Sequence, residues 1–225
     1  ITWLIIGIIV GGRLGYVLFY KPLYYLEDPM AALRIYDGGM SFHGGFLGVV
    51  MAGILFCRKY QIPMLRAADV MAVSAPAGLL FGRLANFINA ELWGRETTLP
   101  WGVVFPGYEA QTCSDAVMGL CARHPSQLYE ALGEGLILSV ALLYLLFRTK
   151  ALRRTGLLTG LFISGYGLTR FLVEMVRQPD AHFQTLQNPI GYALQLGSWG
   201  LTMGQMLSLP MLIVGLWLMA KARKT

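Results

Sequence analysis

Charge is scarce in this sequence. Only 13% of its 225 residues are Asp, Glu, Lys or Arg, against roughly 25% in soluble domains. That scarcity excludes an ordinary solvated globule. With 56% hydrophobic residues and a mean hydropathy of +0.56, the composition indicates a polytopic membrane protein. Three cysteines are too few for a disulfide scaffold. Cys113 and Cys121 allow one bridge in an oxidising compartment, whereas Cys57, at a helix end, reads as a small apolar residue. His43, His124 and His182 are dispersed and lack metal-ligand spacing, so no metal is expected. No H-E-x-x-H, G-x-S-x-G or G-x-x-x-x-G-K-[ST] pattern occurs, which leaves zinc hydrolysis, a serine-hydrolase elbow and P-loop nucleotide binding without support. The net charge of +6 forms no single basic surface, because Lys and Arg are scattered or flank apolar segments. No nucleic-acid partner is expected.

Six apolar spans are present, at about 1–20, 42–58, 69–90, 126–147, 157–176 and 204–220. Ten of the 18 basic residues fall in the connections after spans two and four and in the tail after span six, which places that side in the cytoplasm. The alternate connections, about 21–41, 91–125 and 177–203, then face outward. The segment 91–125 is too long for a tight turn and reads as a small extracytoplasmic cap. The remaining eight basic residues, Arg13, Lys21, Arg34, Arg83, Arg95, Arg123, Arg170 and Arg177, lie in the outer half or outer loops, where the same rule would not put them. A ligand of negative charge on the outer side would account for them. Ile1 already lies within an apolar run with no basic region before it, so a missing upstream segment is expected rather than a signal peptide.

The stretch Gly82-Arg-Leu-Ala-Asn-Phe-Ile-Asn-Ala-Glu-Leu-Trp-Gly-Arg95 closes the third span with Arg83, Asn86, Asn89, Glu91, Gly94 and Arg95. Charged groups at membrane depth cost roughly 2.5–3.5 kcal/mol each and usually line a cavity. At i, i+3 and i+7, Arg83, Asn86 and Ala90 would share one helix face. Tyr166, Arg170, Glu174 and Arg177 form a second stripe at i, i+4, i+8 and i+11. Glu174 has an arginine within reach on either side, so an internal ion pair competes with ligand binding there, while Arg83 and Arg170 together suggest a phosphate clamp. Gln127, Glu130 and Glu134 follow Arg123-His-Pro-Ser on nearby faces of an apolar helix, and the two glutamates can pair with arginines. In Asp37-Gly-Gly-Met-Ser-Phe-His-Gly-Gly45, Ser41 is a plausible N-cap and His43 with Gly44 stands at a helix amino end able to face a phosphate. Arg13, after Gly11 and Gly12, either snorkels beside a close helix contact or touches substrate. Thr202-Met-Gly-Gln205 matches a capping box.

The block at 82–94 resembles the signature of the prolipoprotein diacylglyceryl transferases. Gly11-Gly-Arg-Leu-Gly-Tyr16, the 37–45 block, Arg123-His-Pro-Ser-Gln-Leu-Tyr-Glu130, Gly165-Tyr-Gly with Arg170 and Glu174, and Arg177-Gln-Pro-Asp180 extend the resemblance over the chain in the family's order. Missing from the amino end are the family's first membrane helix and its aromatic, histidine-containing motif.

The resemblance implies an all-α, polytopic integral membrane protein, with residues 1–225 forming one transmembrane catalytic domain in the bacterial inner membrane and its site on the periplasmic side. The implied reaction moves the diacylglyceryl group of phosphatidylglycerol to the lipobox cysteine of a preprolipoprotein and releases glycerol 1-phosphate. By the resemblance, His43, Arg83 and Arg170 are the catalytic residues. Asn86, Asn89, Glu91, Gly94, Tyr166, Glu174, Arg13 and Gly44 are the substrate-binding set, and no cofactor is expected. The competing expectations are a lipid or anion transporter and another phosphatidylglycerol-using transferase.

Overall fold

The computed structural model describes residues 1–113, 120–178, 188, 190–196 and 199–222, apart from the side chains of Asp37, Phe42, His43 and Leu196. His182, Pro179 and Asp180 lie outside the described residues. Six long helices follow in order: α1 Thr2–Phe19, α2 Phe42–Lys59, α3 Met64–Ile88, α4 Ser126–Arg148, α5 Leu157–Val173 and α6 Met203–Lys221. Among the described residues, α1, α3, α4 and α6 are long and apolar enough to cross a membrane, and α5 is a shorter apolar helix. In such helices the backbone satisfies its own hydrogen bonds, which is what a bilayer demands. The chain divides into two compact units, Ile1–Ala67 and Ala68–Thr225.

In the first unit α1 and α2 meet through glycines four residues apart. A Cβ on Gly11 would lie 2.8 Å from the Gly48 Cα, and one on Gly15 would lie 2.8 Å from the Gly44 Cα. Small residues at this spacing let two backbones touch without a hydrophobic driving force from water. The seam is Gly7, Gly11 and Gly15 against Gly44 and Gly48, while Gly12 faces Met40. Ser41 caps α2 by accepting from the Gly44 N–H at 3.2 Å.

In the second unit α5 and α6 use the same device, with a Cβ on Gly160 falling 2.7 Å from the Gly215 carbonyl oxygen. Leu138, Leu142, Leu157 and Leu158 form its apolar core. Asp69 is buried and accepts from the Gly156 N–H at 2.7 Å, the Thr159 N–H at 2.8 Å and the Thr159 hydroxyl at 2.7 Å. It therefore supplies, from 90 positions away, the acceptor that the amino end of α5 lacks locally. Gly156 precedes that helix at φ +89°, where a side chain would be strained. Asp69→Ala should lower the unfolding free energy by about 3 kcal/mol, since it strands buried donors. Denaturant unfolding in detergent micelles measures this loss, and a change within error would contradict the capping role.

Several boundaries differ from the sequence expectation. Helix α3 begins at Met64 rather than 69 and stops at Ile88, so Ala90 leaves the face of Arg83 and Asn86; it sits at φ +55° in the following turn. The Thr202–Gln205 capping box forms as read, and Pro210 lies inside α6. The stretch Ala131–Ile137 within α4 is a π-helix, a wider turn that apolar periodicity does not reveal. A short antiparallel pair, β1 Leu194–Leu196 and β2 Trp199–Leu201, occupies part of the connection between α5 and α6.

Candidate active site

The charged residues of three helices in the second unit gather on one carboxylate. Glu130, near the start of α4, has Arg83 Nη1 of α3 at 3.1 Å from one oxygen; its other oxygen lies 2.7 Å from Arg170 Nη1 of α5 and 3.2 Å from Arg177 Nη1. Arg83 reaches Glu134 through Nη2 at 3.3 Å, and Arg170 reaches Glu174 through Nη2 at 2.8 Å. Three arginines and three glutamates thus balance in formal charge. They are not equally placed. The Glu130 and Glu134 side chains are at most 1% exposed, whereas Arg83, Arg170 and Arg177 keep 16%, 18% and 19%. Carboxylates hold the guanidinium groups from behind and leave cations as the accessible part. Each arginine has N–H donors beyond those in the ion pairs, in the planar array that suits phosphate.

The sequence-based clamp pair, Arg83 and Arg170, is therefore brought together. Of the two partners open to Glu174, Arg170 is taken one turn away, and Arg177 goes to Glu130. Glu174 is seated by α6, because a Cβ on Gly204 would come within 2.5 Å of one carboxylate oxygen and 2.7 Å of the other. Tyr166 is within electrostatic reach of Arg83, Arg170, Glu130 and Glu134. The sequence reads Glu130 and Glu134 as able to pair with arginines and Arg177 as part of the Tyr166 stripe, but places none of the three in the catalytic or substrate-binding set. The available signal was two acids at i, i+4 in an apolar helix, which cannot stay buried without bases.

A second group spans the end of α3 and the turn after it. Asn86 Nδ2 and Asn89 Nδ2 both donate to Glu91 Oε1, at 2.8 and 3.3 Å. Glu91 thus orients the two amides. Gly94 donates its N–H to the His124 carbonyl at 2.9 Å, and a Cβ there would lie 2.6 Å from the Val176 oxygen. It is a close-approach position joining the 94–97 segment to 122–124 and to the end of α5. Arg123 anchors this layer, buried, donating to the Ala110 and Thr112 carbonyls at 2.6 and 2.8 Å and lying 4.2 Å over the Trp93 ring. Cys113 and Cys121 are joined by a disulfide. His124 pairs through Nδ1 with the Tyr129 hydroxyl at 3.2 Å, and burial pushes its pKa down, favouring the neutral ring.

In the first unit, Arg13 is buried. It donates from Nε to the Ala32 carbonyl, from Nη1 to Gly38 and Gly39, and from Nη2 to Ala31 and Arg34. All five guanidinium N–H groups are used on backbone oxygens, which leaves none over for a ligand. Gly44 spends its N–H on Ser41 and its Cα surface on α1. His43 is the second residue of α2, and its side chain is outside the described set.

Comparison with known proteins places this arrangement. Residues 1–221 match the family model described as prolipoprotein diacylglyceryl transferase. The chain is similar to a protein of Cereibacter sphaeroides, 59% identical over 225 residues, covering all of this chain and 77% of the relative. A protein of Ruegeria pomeroyi is 59% identical over 223 residues, covering 99% and 75%. One from Rhizobium meliloti is 49% identical over 223 residues, covering 99% and 72%. All three are named phosphatidylglycerol--prolipoprotein diacylglyceryl transferase. With its arginines gathered on buried carboxylates beside the asparagine-bearing turn, the chain belongs to the prolipoprotein diacylglyceryl transferase family.

Proposed function

We propose that this chain transfers the diacylglyceryl group of phosphatidylglycerol to the lipobox cysteine thiol of a preprolipoprotein and releases glycerol 1-phosphate, the first step of lipoprotein maturation. The observation that carries the reading is the convergence of Arg83, Arg170 and Arg177 on Glu130, with the cations more exposed than the acids behind them. In the reaction the cysteine sulfur attacks the glyceryl carbon that bears the phosphate ester oxygen. A C–S bond forms, the C–O bond breaks, and the bonding pair leaves with the phosphate. Negative charge therefore grows on that oxygen. Preorganised guanidinium groups stabilise such charge more in the transition state than in the substrate.

Asn86 and Asn89, held by Glu91, orient the headgroup, and Glu174 and Tyr166 keep Arg170 in register. Gly94 keeps the 94–97 segment close to the site. Arg13 and Gly44 shape the first unit. His43 takes the thiol proton. The site opens to the outer face of a bacterial inner membrane, a reading supported by the positive-inside assignment of the connections. The partners are phosphatidylglycerol, a lipobox segment and the bilayer.

His43→Gln should remove most activity and regain part of it at higher pH, where more of the free thiol is ionised without help. A loss equal at every pH assigns His43 a binding role instead. The transfer itself is tested by the mass of a lipobox peptide incubated with the full-length protein. Phosphatidylglycerol should add a diacylglyceryl group, and a cysteine-to-serine peptide should remain unchanged. An unmodified cysteine peptide with bound lipid would contradict the reading and favour transport.

A further inference from the structure

Three residues other than glycine adopt positive φ among the described residues: Gln61, Ala90 at +55° and Leu92 at +58°. Two of the three flank Glu91. The left-handed region is unfavourable for residues with a Cβ, and such residues persist only where their surroundings impose them. Packing is incomplete here, because Ala90, Glu91 and Leu92 line a cavity of about 360 Å³ with Trp93, Pro106 and Tyr108. What imposes the conformation is polar. The Gln127 side-chain amide donates to the Glu91 carbonyl at 2.6 Å, and the Ser126 hydroxyl donates to the Leu92 carbonyl at 3.0 Å. Both donors are fully buried. The Glu91 N–H meanwhile donates to the Asn86 carbonyl at 3.0 Å, closing the turn back on α3.

We propose that Gln127, assisted by Ser126, is a positioning residue for the headgroup amides. By holding the turn left-handed on both sides of Glu91, it directs that carboxylate back onto Asn86 and Asn89 and fixes which way each amide faces. The same helical turn carries Glu130, on which the arginines meet. One short segment, 126–130, therefore sets the amides at one end and the cations at the other. The positioning role rests on the transferase reading above, whereas the clamp on the turn stands on geometry alone.

The test uses the full-length protein in detergent, with Gln127→Met, which keeps length and loses the donor, and the double variant Gln127→Met with Ala90→Gly. For Gln127→Met, turnover per folded molecule should fall by about a hundredfold, the scale of a misplacement near 1 Å, with KM for the lipobox peptide unchanged. Glycine adopts positive φ freely, so Ala90→Gly in the same chain should restore about tenfold. Hydrogen exchange of the peptide spanning 89–95 should quicken in Gln127→Met by about tenfold, a readout independent of activity. Normal turnover in folded Gln127→Met, no recovery in the double variant, or unchanged exchange would each overturn the proposal. Were the unaltered protein inactive but exchange still quickened, the transferase reading and the positioning role resting on it would fail while the clamp on the turn stood.

Discussion

Arg83→Ala and Arg170→Ala are each expected to lower turnover by a factor of about 100 to 1,000, the loss that follows removal of one preorganised donor to a developing oxyanion. Each arginine bridges two glutamates, so each variant also releases carboxylate charge toward the phosphate. For Arg83 these are Glu130 and Glu134; for Arg170 they are Glu130 and Glu174. Lysine at either position should recover little, because an ammonium cannot span two carboxylates and still present a planar pair of N–H groups to phosphate. Initial rates of peptide lipidation, corrected for the fraction folded, measure the effect. Near-normal rates in both alanine variants would remove the clamp from the mechanism.

Glu130→Ala should be the more damaging change to the protein itself. Glu130 accepts from three arginines while almost wholly buried, and its loss leaves three cations with two acids. Breaking a buried pair by removing one partner costs about 3–5 kcal/mol, and here the removed partner is shared. Arg83, Arg170 and Arg177 would then repel one another, so turnover should fall as well, although Glu130 holds the arginines from behind instead of facing the ligand. Among the described residues Glu134 forms an ion pair with one arginine, Arg83, at 3.3 Å, so Glu134→Gln should destabilise less. Unfolding in detergent and turnover measured on the same preparations check both statements. Equal stability of the Glu130 and Glu134 variants would contradict the hub.

Much of this was legible in the sequence, for a reason specific to membranes. A helix that must satisfy its backbone in lipid announces itself by an apolar run, and all six long helices overlap such runs. Local chemistry was legible too: the Ser41 cap, the Thr202–Gln205 box and the Arg170–Glu174 pair depend on residues three or four apart. What escaped is pairing between distant residues. Nothing in the periodicity of 126–147 says that Glu130 meets arginines at 83, 170 and 177, or that Asp69 caps a helix beginning at 157. Left-handed φ at Ala90 and Leu92 was equally hidden, since neither is the glycine that usually marks it. Arg83, Asn86 and Ala90 read as one face of a helix, but the helix ends at Ile88, before Ala90.

The most direct measurement follows both products of one reaction. Full-length protein in detergent is given phosphatidylglycerol labelled in its headgroup glycerol and a lipobox peptide, and lipidated peptide and glycerol phosphate are quantified over time. The account predicts one glycerol phosphate released per peptide lipidated, both abolished by replacing the peptide cysteine and both slowed alike by Arg83→Ala and Arg170→Ala. Peptide lipidation without stoichiometric glycerol phosphate, or release of glycerol phosphate that does not need the cysteine, would contradict it.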